Sequence, residues 1–167
     1  MPTSENYWVI KNILMAGSYP LRNTKSNNRI RASVLKQKFD VFINLMQEDE
    51  KDHDGEYFED YKSFINYDAT IIRMPIKDMD IPTPFQTMKL IKTIDRFIND
   101  NKKIYLHCWG GLGRTGTIVG CYLIEKKLAN KSNVFSKINE LKANSILAKF
   151  NSPQTEEQKE FIINWSV

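Results

Sequence analysis

The sequence predicts a single α/β domain in which helices cover both faces of a mostly parallel sheet of four to five strands. Short apolar, β-branched runs alternate along the chain with segments of helical periodicity. The 167 residues suffice for one domain with a sizeable core, and no repeat or low-complexity linker divides residues 1–167. A content of 41% hydrophobic and 26% charged residues is typical of a globular protein.

Four apolar runs predict buried strands, because each is short and flanked by polar residues: 13–16, 41–45, 70–74 and 103–107. Residues 29–39 predict a helix between the first two strands. Thr83, Pro84 and Gln86 predict a helix start, with an N-cap, a proline in the first helical position and a capping-box glutamine. That helix is expected to run to about Asp100, and three further helices are predicted at 113–127, around 134–141 and at 155–165.

Charge is distributed unevenly along the chain. Segment 48–60 holds eight of the 20 acidic residues and a single basic residue, Lys51. The remainder has 23 basic and 12 acidic residues, a balance of +11. This excess favours anionic partners by long-range attraction, and the acidic segment itself is interpreted as a solvated loop.

The composition also bears on location. The N-terminus has neither the basic leader nor the apolar run of a secretory signal. The longest uncharged apolar run, 118–124, is far shorter than the roughly 20 residues that span a bilayer. The two cysteines match neither a disulfide framework nor a zinc spacing, and Cys121 is expected in the core. We therefore expect a cytoplasmic protein that does not associate with a membrane. In the reducing cytoplasm a reactive thiol would survive.

Residues 103–116 place a strand directly before a glycine-rich turn and a helix. At this position Cys108 would lie among the unpaired N–H groups of a helix N-terminus, which can lower a thiol pKa from about 8.5 to about 3.5–7.5. Arg114 would close the turn and hold two phosphoryl oxygens through its planar fork. Glycines let successive amides converge on one anion, and the turn has three of them: Gly110, Gly111 and Gly113.

Three neighbours of the turn are assigned supporting roles. The Thr115 hydroxyl can donate to the cysteine sulfur and ease its departure. His107 is expected to hydrogen-bond the loop backbone and orient Cys108 rather than transfer protons, and Trp109 to pack beside the loop or line its mouth. The alternative is a glycine-rich turn around an inert, buried cysteine, which leaves the surrounding histidine, glycines and threonine unexplained.

The run from His107 to Gly116 resembles the signature H-C-x-x-G-x-G-R-[ST]-G of the protein-tyrosine and dual-specificity phosphatase superfamily. Its paired central glycines are similar to those of small enzymes like the cyclin-dependent kinase-associated phosphatase. The resemblance implies a phosphocysteine intermediate on Cys108, with neither metal nor cofactor. It also implies a phosphate-binding loop made of Trp109, Gly110, Gly111, Leu112, Gly113 and Arg114.

Phosphoryl transfer to sulfur also needs a proton for the leaving oxygen. The loop 75–82 offers two carboxylates, Asp78 and Asp80. Aligned by its prolines, the loop resembles the family's acid loop, which assigns the catalytic acid to Asp78. Asp80 falls where many members have glycine, so its alternative is a solvated loop carboxylate.

Residues 154–162 resemble the glutamine loop Q-T-x-x-Q-x-x-F-[IV] of tyrosine-specific members. The resemblance implies that Gln154 positions the hydrolytic water. Thr155 and Gln158 also form a capping box, so Gln158 stays open between a catalytic and a structural role.

The predicted function is that of a tyrosine or dual-specificity protein phosphatase acting on a phosphorylated protein substrate. Two alternatives stay open: a phosphatase of inositol phosphates or RNA 5′-phosphates, and a phospho-binding pseudophosphatase. Residues 109–113 contain no lysine, which disfavours polyphosphoinositides, and no aromatic-basic motif supports nucleic-acid binding.

Overall fold

The computed structural model describes residues 4–21, 34–65 and 67–166. Its five strands are β1 Asn6–Ile10, β2 Leu14–Gly17, β3 Val41–Asn44, β4 Thr70–Arg73 and β5 Ile104–His107. They form one sheet in the order β1-β2-β5-β3-β4. Strand β1 runs antiparallel to β2, and the other neighbours are parallel. The predicted mostly parallel sheet is confirmed, and β1 is a strand that the sequence patterns did not reveal.

Four α-helices lie entirely within the described residues: α1 Pro84–Asn99, α2 Gly113–Glu125, α3 Val134–Lys142 and α4 Glu156–Ile163. The predicted start of α1 is confirmed, because the Thr83 hydroxyl accepts a hydrogen bond from Gln86 N while the Gln86 side chain accepts one from Thr83 N. Of the predicted helix 29–39, residues 29–33 lie outside the described residues. Val34 and Leu35 are helical, but residues 36–37 form a turn and Lys38 has a positive φ of 52°, so the helix ends before the predicted residue 39. No helix in the described part of the chain is long and apolar enough to cross a membrane.

Helix α2 lies at the centre of the helical layer and contacts β2 and each of the other three helices. Its residues 113–124 are all buried. Gly120 lets α4 approach closely, since a β-carbon there would lie 2.5 Å from Ile162 Cδ1. The first turn of α2 is therefore fixed in place by packing along the whole helix.

The other face of the sheet carries an aromatic layer. Side chains alternate between the two faces of a strand, so Tyr105 and His107 of β5 lie on the same side. Both contribute to a cluster of ring contacts with Tyr19, Phe39, Phe42 and Tyr61. Tyr61 begins the 3₁₀ helix Tyr61–Phe64, which covers this face.

The parallel strands bring three loops to one edge of the sheet. In register, Gly17 of β2 and Asn44 of β3 both pair with His107 of β5. Cys108 directly follows β5, the acidic segment 48–60 follows β3, and the loop with Asp78 follows β4. Ligands of open α/β sheets bind at this carboxyl edge, so the topology points to a site there.

Candidate active site

The loop after β5 is held in one narrow path. Cys108 is only 3% exposed, and the carbonyl of Trp109 accepts a hydrogen bond of 2.8 Å from Tyr19 N. Gly111 has φ +74°, and a β-carbon there would lie 2.4 Å from the carbonyl carbon of Gly17. Glycine is therefore required at 111, whereas no atom surrounds the corresponding position of Gly110.

His107 is fully buried and neutral. Its Nδ1 lies 3.2 Å from the Cys108 carbonyl, which can only accept, so Nδ1 carries the proton. Nε2 therefore accepts the hydrogen bond of 2.9 Å from the Tyr61 hydroxyl. Burial lowers the His107 pKa from 6.5 to about 3, although the bond to the Cys108 carbonyl acts in the opposite direction. These contacts place His107 where the sequence predicts a positioning residue.

Arg114, in the first turn of α2, is 1% exposed, and oxygen atoms of Glu50, Asp78 and Ile76 contact its terminal nitrogens. Glu50 forms a two-pronged ion pair with both terminal nitrogens. Nη1 also donates to the Ile76 carbonyl at 3.0 Å, and Nη2 lies 2.9 Å from the Asp78 carboxylate. Burial alone would lower the Arg114 pKa, but the hydrogen bonds that Arg114 donates to Glu50, followed by the charges of Cys108, Glu50 and Asp78, raise it overall. Arg114 therefore stays charged.

The structure separates the two candidate acids. Asp78 is half exposed and faces the same cavity as Cys108 and Arg114. Asp80 does not line that cavity, and its carboxylate accepts a hydrogen bond of 2.8 Å from Ile81 N. Of these two candidates, Asp78 is the one available to a bound phosphoryl group.

The two candidate glutamines are separated as well. Gln154 lines the cavity. Gln158 is fully buried: its amide oxygen accepts from the backbone of Gln154 and Thr155, and its amide nitrogen donates to the Asp80 carbonyl at 3.1 Å. Gln158 therefore ties the C-terminal loop to the acid loop, and the capping-box interpretation is confirmed.

Thr115 follows Arg114 and is completely buried. Its hydroxyl has no hydrogen-bond partner among the described residues. An unpaired buried hydroxyl is costly and calls for an acceptor. The hydroxyl makes no hydrogen bond to the Cys108 sulfur in this structure, so its donation to that sulfur stays a prediction.

Four of the predicted catalytic residues, Cys108, Arg114, Asp78 and Gln154, meet at a cavity of about 420 Å³ at the carboxyl edge of the sheet, whereas His107 and Thr115 do not line it. The phosphate loop also contains Gly111, Leu112 and Gly113, but these three residues do not line the cavity. The lining residues are Asp52, His53, Asp54, Phe58, Asp78, Met79, Cys108, Trp109, Gly110, Arg114 and Gln154.

Sequence reasoning missed the contribution of the acidic segment. Glu50 binds Arg114, and four of the residues that line the cavity come from this segment: Asp52, His53, Asp54 and Phe58. The segment is mostly exposed, as a solvated loop would be, yet one of its faces belongs to the site. The available signal was its position after a predicted parallel strand, whose carboxyl end faces the same edge as Cys108.

Comparison with known families agrees with this geometry. The family described as "Polymorphic toxin system, DSP-PTPase phosphatase" matches residues 20–127, more than half of the chain. The chain belongs to this family of dual-specificity and protein-tyrosine phosphatases.

Individual relatives are more distant. The mouse "Protein tyrosine phosphatase domain-containing protein 1" is 28% identical over 124 residues, which cover 70% of this chain but 16% of that protein. Among solved structures, PTPMT1 in complex with PI(5)P superimposes with a TM-score of 0.69 at 16% identity, covering 97% of this chain and 94% of the other. Kinase-associated phosphatase gives 0.66 at 14% identity, covering 97% and 93%. At these identities the two structures show a shared fold.

Proposed function

We propose that the chain is a metal-independent protein phosphatase that hydrolyses phosphotyrosine, and phosphoserine or phosphothreonine, through a phosphocysteine at Cys108. One observation carries the proposal: Cys108, Arg114 and Asp78 line a single cavity, although Asp78 is distant from the others in sequence. These are a nucleophile, a cationic oxygen ligand and a proton donor, which are the groups that phosphoryl transfer to sulfur requires.

In the first step, the Cys108 thiolate attacks phosphorus in line with the leaving oxygen. Arg114 and the loop amides stabilise the equatorial oxygens, where charge develops. An entering phosphoryl group competes with the Asp78 carboxylate for Arg114 Nη2, to which Asp78 is paired at 2.9 Å. Once it is released from Arg114, the Asp78 carboxylate takes up a proton from solvent and donates it to the leaving oxygen.

In the second step, water hydrolyses the phosphocysteine. Gln154 lines the cavity and positions the water, and Asp78 accepts its proton. The Thr115 hydroxyl donates to the departing sulfur. The cycle returns Cys108 to the thiolate and releases inorganic phosphate.

Aromatic side chains beside Cys108 support an aryl phosphate as substrate. The ring of Trp109 lies 4.4 Å from that of His53 and 5.3 Å from that of Phe58, measured between centroids. All three residues line the cavity, so a phosphotyrosine ring would enter along an aromatic wall. The name of the mouse relative supports the same substrate class.

The test is hydrolysis of para-nitrophenyl phosphate in the presence of a metal chelator. We expect turnover that orthovanadate inhibits and that Cys108→Ala abolishes. Cys121→Ala is the matched control, because Cys121 of α2 is buried in the protein core and does not line the cavity. Retained turnover in Cys108→Ala would contradict the covalent route. A panel of phosphotyrosine and phosphothreonine peptides, inositol phosphates and RNA 5′-triphosphate then identifies the substrate class.

A further inference from the structure

We infer that the acidic rim, the carboxylates of Asp52 and Asp54, selects phosphorylated side chains flanked by lysine or arginine and disfavours substrates with additional phosphate groups. This inference rests on the proposed function of the site and narrows its substrate class. It concerns the mouth of the cavity, where the residues around a phosphorylated side chain would lie.

The rim belongs to a well-defined turn. Lys51 and Tyr57 pair in an antiparallel bridge, and Asp52 N donates to the Glu56 carbonyl at 2.8 Å. The Asp52 carboxylate accepts hydrogen bonds of 3.0 Å from the backbone of both Asp54 and Glu56. Internal hydrogen bonds therefore set the positions of both rim residues.

The turn is also attached to the active site. The His53 ring contacts the Trp109 ring within the phosphate loop, and Phe58 contacts the same indole. At the start of the segment, Glu50 is paired with the buried Arg114. These contacts hold the turn against the cavity, so Asp52 and Asp54 border the space that also contains Cys108.

The charges around the cavity are mostly negative. Its lining includes three carboxylates, those of Asp52, Asp54 and Asp78, and a single guanidinium, that of Arg114. Arg114 lies deep and is 1% exposed, whereas Asp54 is exposed at the mouth. One phosphoryl group can reach Arg114 and the loop amides, but further anionic groups would lie beside like charges. Cationic groups at the same distance would be attracted.

This local charge opposes that of the rest of the chain. Outside segment 48–60 the balance is +11, which by itself would favour any polyanion. Charges separated by more than about 8 Å are largely screened at physiological ionic strength, so the nearby carboxylates dominate at the mouth. The site therefore distinguishes substrates by the charges that lie next to the phosphorylated side chain.

The experiment compares two phosphotyrosine peptides of equal length, one with lysine and arginine on both sides and one with glutamate. The specificity constant kcat/KM is measured for the wild type, Asp54→Lys and Glu56→Lys. Glu56 is the matched control: it lies in the same turn, is exposed and does not line the cavity, and its substitution changes net charge equally. We expect the wild type to favour the basic peptide about tenfold in kcat/KM, because each peptide carries two charges close to the rim carboxylates. Asp54→Lys should lose most of that preference. Glu56→Lys should keep the preference.

Three results would overturn the role of the acidic rim in selectivity. They are equal kcat/KM values for both peptides, a preference for the acidic peptide or for an inositol polyphosphate, and an equal loss of preference in Asp54→Lys and Glu56→Lys. Binding of the two peptides to Cys108→Ala, measured by fluorescence anisotropy, separates this inference from the proposed function. Selective binding without hydrolysis by the wild type would contradict the proposed phosphatase function but support selection by the acidic rim. Hydrolysis of both peptides at equal rates would support the phosphatase function but contradict selection by the acidic rim.

Discussion

Arg114 shows how single residues create the site. Its guanidinium is buried but compensated by Glu50, Asp78 and the Ile76 carbonyl, which removes the cost of an isolated buried charge. Of these partners, Asp78 is the half-exposed one that lines the cavity. Arg114 thus keeps a fixed orientation through Glu50 while exchanging Asp78 for a phosphoryl oxygen.

The acid role of Asp78 gives a leaving-group prediction. Asp78→Asn removes the proton donor, so hydrolysis of alkyl phosphates should fall by about 10²–10⁴-fold while para-nitrophenyl phosphate, whose leaving group needs little help, is affected much less. Steady-state rates over a series of leaving groups measure this effect. Asp80→Asn is the control and should match the wild type. An equal loss for every leaving group would count against the acid role.

The buried imidazole of His107 gives a pH prediction. Its pKa is lowered by burial from 6.5 to about 3, so between these values the unfolded chain binds a proton that the folded protein does not. The contribution of neutral His107 to the free energy of unfolding is therefore complete above pH 6.5. It is lost as the pH falls toward 3, at about 1.4 kcal/mol per pH unit.

We expect His107→Asn to show a shallower decline in the free energy of unfolding between pH 6 and 4, measured by urea denaturation. Identical slopes for His107→Asn and the wild type would show that His107 is not held neutral.

At the scale of elements, the site is a junction of four loops. The phosphate loop lies between β5 and α2, and the acidic segment and acid loop follow β3 and β4. Gln158 of α4 joins the C-terminal loop to the acid loop through its bond to the Asp80 carbonyl. The parallel sheet places these loops at one edge, and α2 anchors them in the core.

The phosphate loop gives a paired glycine prediction. Gly111→Ala introduces a β-carbon against the Gly17 backbone at a positive φ, so the free energy of unfolding should fall by about 2–4 kcal/mol. Gly110→Ala meets no neighbouring atom and should change stability by less than about 1 kcal/mol. Chemical denaturation compares the two, and equal losses would contradict the close approach of the loop to β2.

At the scale of the whole molecule, one core is shared by sheet and helices, and it extends from Tyr7 in β1 to Trp165 near the C-terminus. We therefore expect residues 1–167 to unfold as a single cooperative unit. Far-ultraviolet circular dichroism and tryptophan fluorescence should give coincident transitions, because Trp8, Trp109 and Trp165 are spread over the chain. Separate midpoints would indicate more than one domain.

Local sequence signals accounted for much of this molecule. Thr83 with Gln86 and Thr155 with Gln158 indicated helix starts through short-range hydrogen bonds, and the glycine pattern indicated the phosphate loop. Strand β1 was not predicted because its residues 6–10 lack a clear alternation of apolar and polar side chains. The pairing of Glu50 with Arg114 joins residues 64 positions apart, so it depends on the topology rather than on any local pattern.

The central claim is that Cys108 carries the phosphoryl group during turnover. Its most direct test is rapid acid quenching of the enzyme with a phosphotyrosine peptide, followed by proteolysis and mass spectrometry. The expected result is one phosphoryl group on the fragment that contains Cys108, with greater accumulation in Gln154→Ala, where the water is not positioned. Turnover with no modified Cys108 fragment, or with the phosphoryl group on another residue, would contradict the account.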